Sequence, residues 1–204
     1  MSTQPSISDE YLAAVRAKAA GNSFKPKGTV RCLGEPLFRS QLARDLACLL
    51  DTDPDVQSWS CLPIAFRRRT TLHVPDFLVE GPGEVWLHDA ASGVVENAWI
   101  AEAVRSSGRG YQSSSVHEIQ SGFRLENSRD LLRYARWQCP LGDRIRLLAA
   151  LDEQGSLTFA ECLPVFHETR AIAGLASLIL HRFVEADLDG ARIGPETTVR
   201  RCRS

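Results

Sequence analysis

From residue 36 the apolar positions fall at helical spacing. Leu37, Leu42, Leu46, Leu49 and Leu50 recur near a 3.6 period, and Pro36 suits a first helical turn. The pattern predicts a helix that Asp51-Thr52-Asp53-Pro54-Asp55 stops. Val56, Trp59, Leu62, Ile64 and Phe66 then read as a strand region, with Arg67-Arg68-Arg69 at the turn that follows. Two short apolar runs come next, at 73–80 and 84–90, and Gly81-Pro82-Gly83 joins them as a hairpin. Residues 97–105 are helical and amphipathic. Gly108-Arg109-Gly110 leads into a strand at 111–116, and Asn127 is placed to cap a helix over 131–137. Helix, three strands, helix, strand, helix is an α/β layout with one mixed sheet.

The ends of the chain follow other patterns. Residues 1–30 are polar and Ala-rich and read as an N-terminal arm. In it Ser8-Asp9-Glu10 opens a short helix and Gly21-Asn22-Ser23 ends it. Lys25-Pro26-Lys27-Gly28 is a basic turn, either solvated or against phosphate. Composition changes at Cys139-Pro140-Leu141-Gly142, and three helices are expected beyond it. One covers 143–151. A second is capped by Thr158, with Phe159, Cys162, Leu163 and Phe166 inward. A third, over 169–183, carries the stripe Ile172, Leu175, Leu178, Ile179 and Phe183. Residues 184–188 and 197–201 read as two strands of a wing. Three helices and a wing make a winged helix-turn-helix plan. The expected division is an arm at 1–30, an α/β domain at 31–138 and a winged-helix domain at 142–204.

Charge narrows the partners. The 204 residues carry a formal net charge of −1, so no global basic field advertises nucleic acid and any such contact must be local. The local candidates are Arg67, Arg68 and Arg69, and a basic tail of Arg200, Arg201 and Arg203. The third C-terminal helix is almost uncharged over 171–180. Base-reading helices display Arg, Lys, Asn or Gln, so this one is expected to contact protein. The six cysteines form no C-x-x-C pair, which argues against zinc and for buried thiols in a reducing cytoplasm. No apolar stretch has membrane-spanning length.

The chemistry-bearing residues cluster around the hairpin. Phe38-Arg39-Ser40-Gln41-Leu42-Ala43-Arg44-Asp45 precedes Asp53-Pro54-Asp55-Val56 and Pro63. Then come Pro75-Asp76-Phe77-Leu78-Val79 and Trp86-Leu87-His88-Asp89-Ala90, with Gly110-Tyr111 and Leu125-Glu126-Asn127 later. In this order and spacing the chain resembles the TnsA-type transposon-end endonucleases, of the PD-(D/E)xK restriction-endonuclease-like superfamily. The resemblance spans about residues 35–201. It implies a restriction-endonuclease-like mixed sheet flanked by helices, a C-terminal winged helix, and work on DNA beside a transposase and an AAA+ ATPase. In that family a helix Glu, the Asp of the Pro-Asp-Phe strand and the Glu of Glu-x-Lys hold Mg²⁺, and the Lys activates water.

Phosphodiester cleavage needs a hard cation held by oxygen ligands and a cationic group near the attacking water. Here the helix Glu position is Arg39, and the Glu-x-Lys positions are His88 and Ala90, so only Asp76 stays. Arg39 turned inward would repel a metal and pair with Asp76. Asp76 with His88 would make a remnant site. Asp89 is a further carboxylate, but strand alternation sends it away from His88. The expected protein is a catalytically degenerate endonuclease fold with no cofactor. It would touch DNA through Arg67, Arg68 and Arg69 and a partner protein through 142–201. Two alternatives stay open. One is an active Mg²⁺-dependent nuclease using Asp76 with Asp89 or Glu35. The other is a winged-helix DNA-binding regulator.

Overall fold

Ser6 begins the first helix, α1 (Ile7–Ala20). Its hydroxyl accepts the Asp9 amide and Asp9 Oδ2 accepts the Ser6 amide in return. The cap lies two residues ahead of Ser8, because only Ser6 has an acidic residue three positions on that closes the capping box. In the computed structural model, which describes residues 6–93 and 98–202, α1 is tied down. Arg16 donates from Nε and Nη2 to the Leu62 carbonyl at 3.0 and 2.8 Å, and Ala19 is buried.

The second helix, α2 (Gln41–Thr52), starts five residues after Pro36. Ser40 supplies the side-chain oxygen that accepts the Ala43 amide at 3.1 Å, and a helix begins where such a cap stands. Next come β1 (Ser58–Cys61), a hairpin of β2 (Phe66–Arg68) and β3 (Thr71–His73), β4 (Phe77–Gly81) and β5 (Glu84–Ala91). Then follow α3 (Ala98–Arg105), β6 (Gly110–Ser115) and α4 (Val116–Gln120). Residue 97, expected to open α3, lies outside the described residues. The expected strand across 56–66 breaks at Leu62, whose φ is +48°. Its amide donates to the Asp76 carbonyl, and the chain leaves the sheet for the hairpin.

The sheet order is β1-β4-β5-β6, antiparallel throughout except that β6 runs parallel to β5 after the α3 crossover. Pro82-Gly83 joins β4 to β5, with Gly83 at φ +80°. Proline followed by a left-handed glycine is the pairing a type II turn requires. The sheet is mixed and has helices on both faces. On one face Trp59 and Phe77 meet edge-on at 5.4 Å between ring centres, beside Phe38. Trp59 Nε1 also donates to Asp51 of α2 at 3.0 Å. On the other, Leu87 packs with Ile100 and Val104 of α3, and with Leu78 and Tyr111. These elements, with α1, form one compact unit of Met1–Lys25 and Arg31–Gln120.

The second unit is Pro26–Val30 with Ser121–Ser204. The segment from 121 to 138, expected with the α/β domain, packs here. Its helix α5 (Arg124–Leu132) begins without a side-chain cap, and Asn127 sits inside it, not at its start. There the Asn127 amide donates to the Leu188 and Ala191 carbonyls at 2.9 and 2.8 Å. Its oxygen accepts the Ile193 amide at 2.9 Å. The remaining elements are α6 (Leu141–Gln154), β7 (Leu157–Thr158), α7 (Phe159–Cys162), a 3₁₀ turn (Leu163–Val165), α8 (Ala171–Leu180), β8 (Val184–Ala186) and β9 (Thr198–Arg201). A three-stranded antiparallel sheet has the order β7-β9-β8. Thr158 caps α7, as its sequence predicts, and Glu161 closes a capping box with it.

Helix α8 corrects one reading. Ala173 through Leu180 are all buried within this unit, and Ile172 is exposed. The helix is uncharged because it is the core of its own unit, so its apolar stripe is not a docking face. Gly174 allows the tight approach, since a Cβ there would lie 2.6 Å from the Phe166 ring. No helix among the described residues is long and apolar enough to cross a membrane.

Candidate functional site

Asp76 stands one residue before β4, where backbone pairing with β5 ends. Its carboxylate continues that pairing: Oδ2 accepts the Ala90 amide at 3.0 Å. The favour is returned by Asp89, whose Oδ1 accepts the Asp76 amide at 3.0 Å. Both carboxylates are buried, each with 5% of its side chain exposed. Arg39 closes them, coming from the residue before the α2 cap. Its Nε and Nη2 lie 2.9 and 2.8 Å from Asp76 Oδ1, and Nη2 lies 3.6 Å from Asp89 Oδ1. Arg39 points inward, the arrangement in which it pairs with Asp76.

Asp89 Oδ2 is held separately. The Tyr111 hydroxyl donates to it at 2.7 Å, and His73 Nε2 lies 2.7 Å away. Tyr111 is brought there by the parallel β5–β6 register, which sets Leu87 beside Tyr111 on the face that Asp89 shares. All four carboxylate oxygens of the pair therefore accept a hydrogen bond from protein. The two acids do not respond alike. Burial pushes Asp76 up from the ordinary carboxylate value and Asp89's charge adds to this, against Arg39. Burial also acts to raise Asp89, but the His73 and Tyr111 hydrogen bonds and the Asp76 amide outweigh it and leave Asp89 low.

His88 does not belong to this cluster. It stands opposite Phe77 in the β4–β5 ladder, on the other face from Asp89, and its Nε2 lies 2.9 Å from the Ser114 hydroxyl. The remnant pair of Asp76 and His88 is thus corrected. Asp76 is joined to Asp89, because alternation turns His88 toward the α2 side. Burial lowers the His88 imidazole to about 4 despite Asp89, Asp53 and Glu118, so it is neutral at pH 7. Trp86 Nε1 approaches Nδ1 at 3.5 Å, which assigns Nε2–H as donor to Ser114. Ala90 contributes its backbone amide and presents no cation. Glu35 is exposed ahead of α2, outside any helix.

Arg67, Arg68 and Arg69 form the tip of the β2–β3 hairpin and are exposed. Arg67 Nε donates to the Arg69 carbonyl at 2.9 Å, and Arg69 has φ +55°, so the tip is bent back on itself. Among the described residues no carboxylate lies in ion-pair distance of these three. Arg200 and Arg201 lie on β9, where Arg201 pairs with Asp152. Residue 203 of the basic tail lies outside the described residues. Cys48, Cys61 and Cys162 are buried, whereas Cys32, Cys139 and Cys202 are half-buried.

Asp76 and Asp89 present oxygens to one point, but the Arg39 guanidinium occupies it. Among the described residues no group of three His, Cys, Asp or Glu side chains is placed to hold a metal ion. The residues as they stand do not fit Mg²⁺, which requires a near-octahedral shell of oxygen donors. Comparison with the models of known protein families and with curated proteins found no match to this chain.

Proposed function

We propose that the chain is a TnsA-like protein with a catalytically degenerate endonuclease fold, acting in DNA transposition by binding DNA and transposase partners. The observation that carries this is the Asp76–Asp89 pair at the end of the β4–β5 hairpin, in a helix, three-strand, helix, strand unit built on one mixed sheet. That order and the position of Asp76 are what the resemblance calls for, while Asp89 stands one residue beyond the family's second acid. The missing chemistry is equally local. Ala90 stands where a lysine would serve the attacking water, and Arg39 neutralises the acids. The cationic hairpin tip is the surface for duplex phosphate, and three phosphate contacts would give a salt slope of about −3. The second unit's helices and three-stranded sheet support a winged-helix reading, with the buried α8 excluded from base contact.

Plasmid nicking with Mg²⁺ or Mn²⁺ tests the degenerate reading. We expect no nicking, and nicking abolished by Asp76→Ala would overturn it. Binding to a duplex measured against salt tests the DNA contact. Replacing Arg67, Arg68 and Arg69 together by Ala should flatten the slope. An unchanged slope would move the contact elsewhere. One observation favours the active alternative with Asp76 and Asp89: Asp89 Oδ1 accepts the Asp76 backbone amide, which sets the second carboxylate beside the first. The nicking assay separates the two readings.

A further inference from the structure

We infer, resting on the proposed reading of this fold, that Arg39 is the resident cation of the Asp76–Asp89 pair and keeps divalent metal ions out of it. Two buried carboxylates that face one another need a positive charge nearby to stay ionised together. The structure supplies it from Arg39. Nη2 stands 2.8 Å from Asp76 Oδ1 and 3.6 Å from Asp89 Oδ1, so one nitrogen bridges the two oxygens that a metal would take. The remaining oxygens cannot turn to a metal without breaking bonds. Asp76 Oδ2 holds the Ala90 amide, and Asp89 Oδ2 holds the Tyr111 hydroxyl and His73.

The guanidinium is well suited to this place. It is planar, cannot lose its proton at any ordinary pH, and costs less to dehydrate than an ammonium. Because it is carried on the chain, its local concentration does not depend on the medium. A free ion must displace it and also tolerate the positive charge it leaves close by, since the Arg39 side chain is only 34% exposed and starts one residue from the α2 cap. His73 is the other group of cationic capacity facing the pair, and it reaches Asp89 Oδ2, on the far oxygen from Arg39. The site is therefore a clamp between the α2 approach and the β4–β5 hairpin, in which one guanidinium built into the sequence faces two carboxylates.

The experiment is thermal unfolding of the full chain with and without millimolar Mn²⁺, with no DNA present, so that its outcome is independent of nicking and duplex binding. The wild type should not respond. Arg39→Gln should unfold about 5–10 °C lower, as expected for a broken buried pair in a chain of this size. Mn²⁺ should then recover part of that loss, and Asp89→Asn added to it should abolish the recovery. Arg39→Lys keeps a charge in place and should stay insensitive to Mn²⁺. Terbium luminescence reads the wild type directly. Emission sensitised by Tyr111 should be absent in the wild type and appear in Arg39→Gln. Emission from the wild type that Asp76→Asn removes would overturn the inference. So would an Arg39→Gln protein that folds and ignores both ions. If Arg39→Gln does not fold, silent terbium in the wild type together with a folded, Mn²⁺-insensitive Arg39→Lys upholds it.

Discussion

Asp143 in the second unit and Asp76 in the first are both buried aspartates with an arginine on them, and they are satisfied in different ways. Asp143 lies on α6, and its side chain has no exposed surface. Its two oxygens take the backbone amides of His167, Glu168 and Thr169, at 2.8 to 3.2 Å, as well as Arg146. Burial pushes its carboxyl up, but these amides and Arg146 outweigh it and hold the value low. Asp76 has one backbone donor, Ala90, and otherwise depends on the Arg39 side chain. Its carboxyl lies above the ordinary value. An acid held by main chain is part of the fold, because no substitution elsewhere other than proline removes an amide. An acid held by side chains can be given a new task by changing one residue.

Four experiments would break or sharpen that contrast. Asp143→Ala strips three amides and an arginine of their partner at once. A loss of about 3–5 kcal/mol in denaturant unfolding is expected, and a loss below 1 would erase the distinction. Asn127→Ala leaves two carbonyls and one amide of the 187–194 loop without the side chain that joins them. About 2–4 kcal/mol should be lost, with faster hydrogen exchange at Ile193. Asp76→Asn keeps the shape of its side chain, and the half-exposed Arg39 can turn to Asp89 or water. A smaller loss of about 1–2 kcal/mol is expected there, read as a shift in the denaturant midpoint.

The pH dependence is the smallest effect, and its sign differs between the two acids. Asp143 is lowered on folding. The stability it contributes is present above the unfolded carboxylate value near 4 and is lost as pH falls through its lower folded value. Asp76 is raised on folding. Its contribution is present below about 4 and is lost as pH rises through the folded value. The gap between wild type and Asp143→Asn should therefore narrow on acidification. The change from wild type to Asp76→Asn should move the other way. Parallel slopes in melts between pH 3 and 7 would mean that both acids sit in equivalent environments.

Much of this arrangement was legible in the chain. The hairpin announced itself through Gly81-Pro82-Gly83 between two apolar runs, and Thr158 marked the start of α7 as its N-cap. The charge of Arg39 made a pair with Asp76 one of its two outcomes, and its orientation decided between them. What failed depended on partners distant in sequence. Pro36 looked like a helix start until Ser40 supplied the hydrogen bond that decides it. His88 was matched to the site by spacing, and the cross-strand pairing gives that place to Asp89. Tyr111 was quoted within a motif but carried no signal of its role, because a parallel register fixed by the α3 crossover cannot be read from alternation, and His73 at the start of the first apolar run carried none either. The blank surface of α8 was read as an interface because periodicity does not tell self-burial from partner burial.

The left-handed turn at Leu62 has a mechanical consequence. Its carbonyl is gripped by Arg16, and its amide grips the carbonyl of Asp76. One buried residue thus links the N-terminal helix to the acid at the sheet's end through three hydrogen bonds to its own main chain. A load on the first helix, from a fusion tag or a bound protein, would reach the main chain of Asp76 by this route. A chain shortened past Arg16 would leave that tether slack.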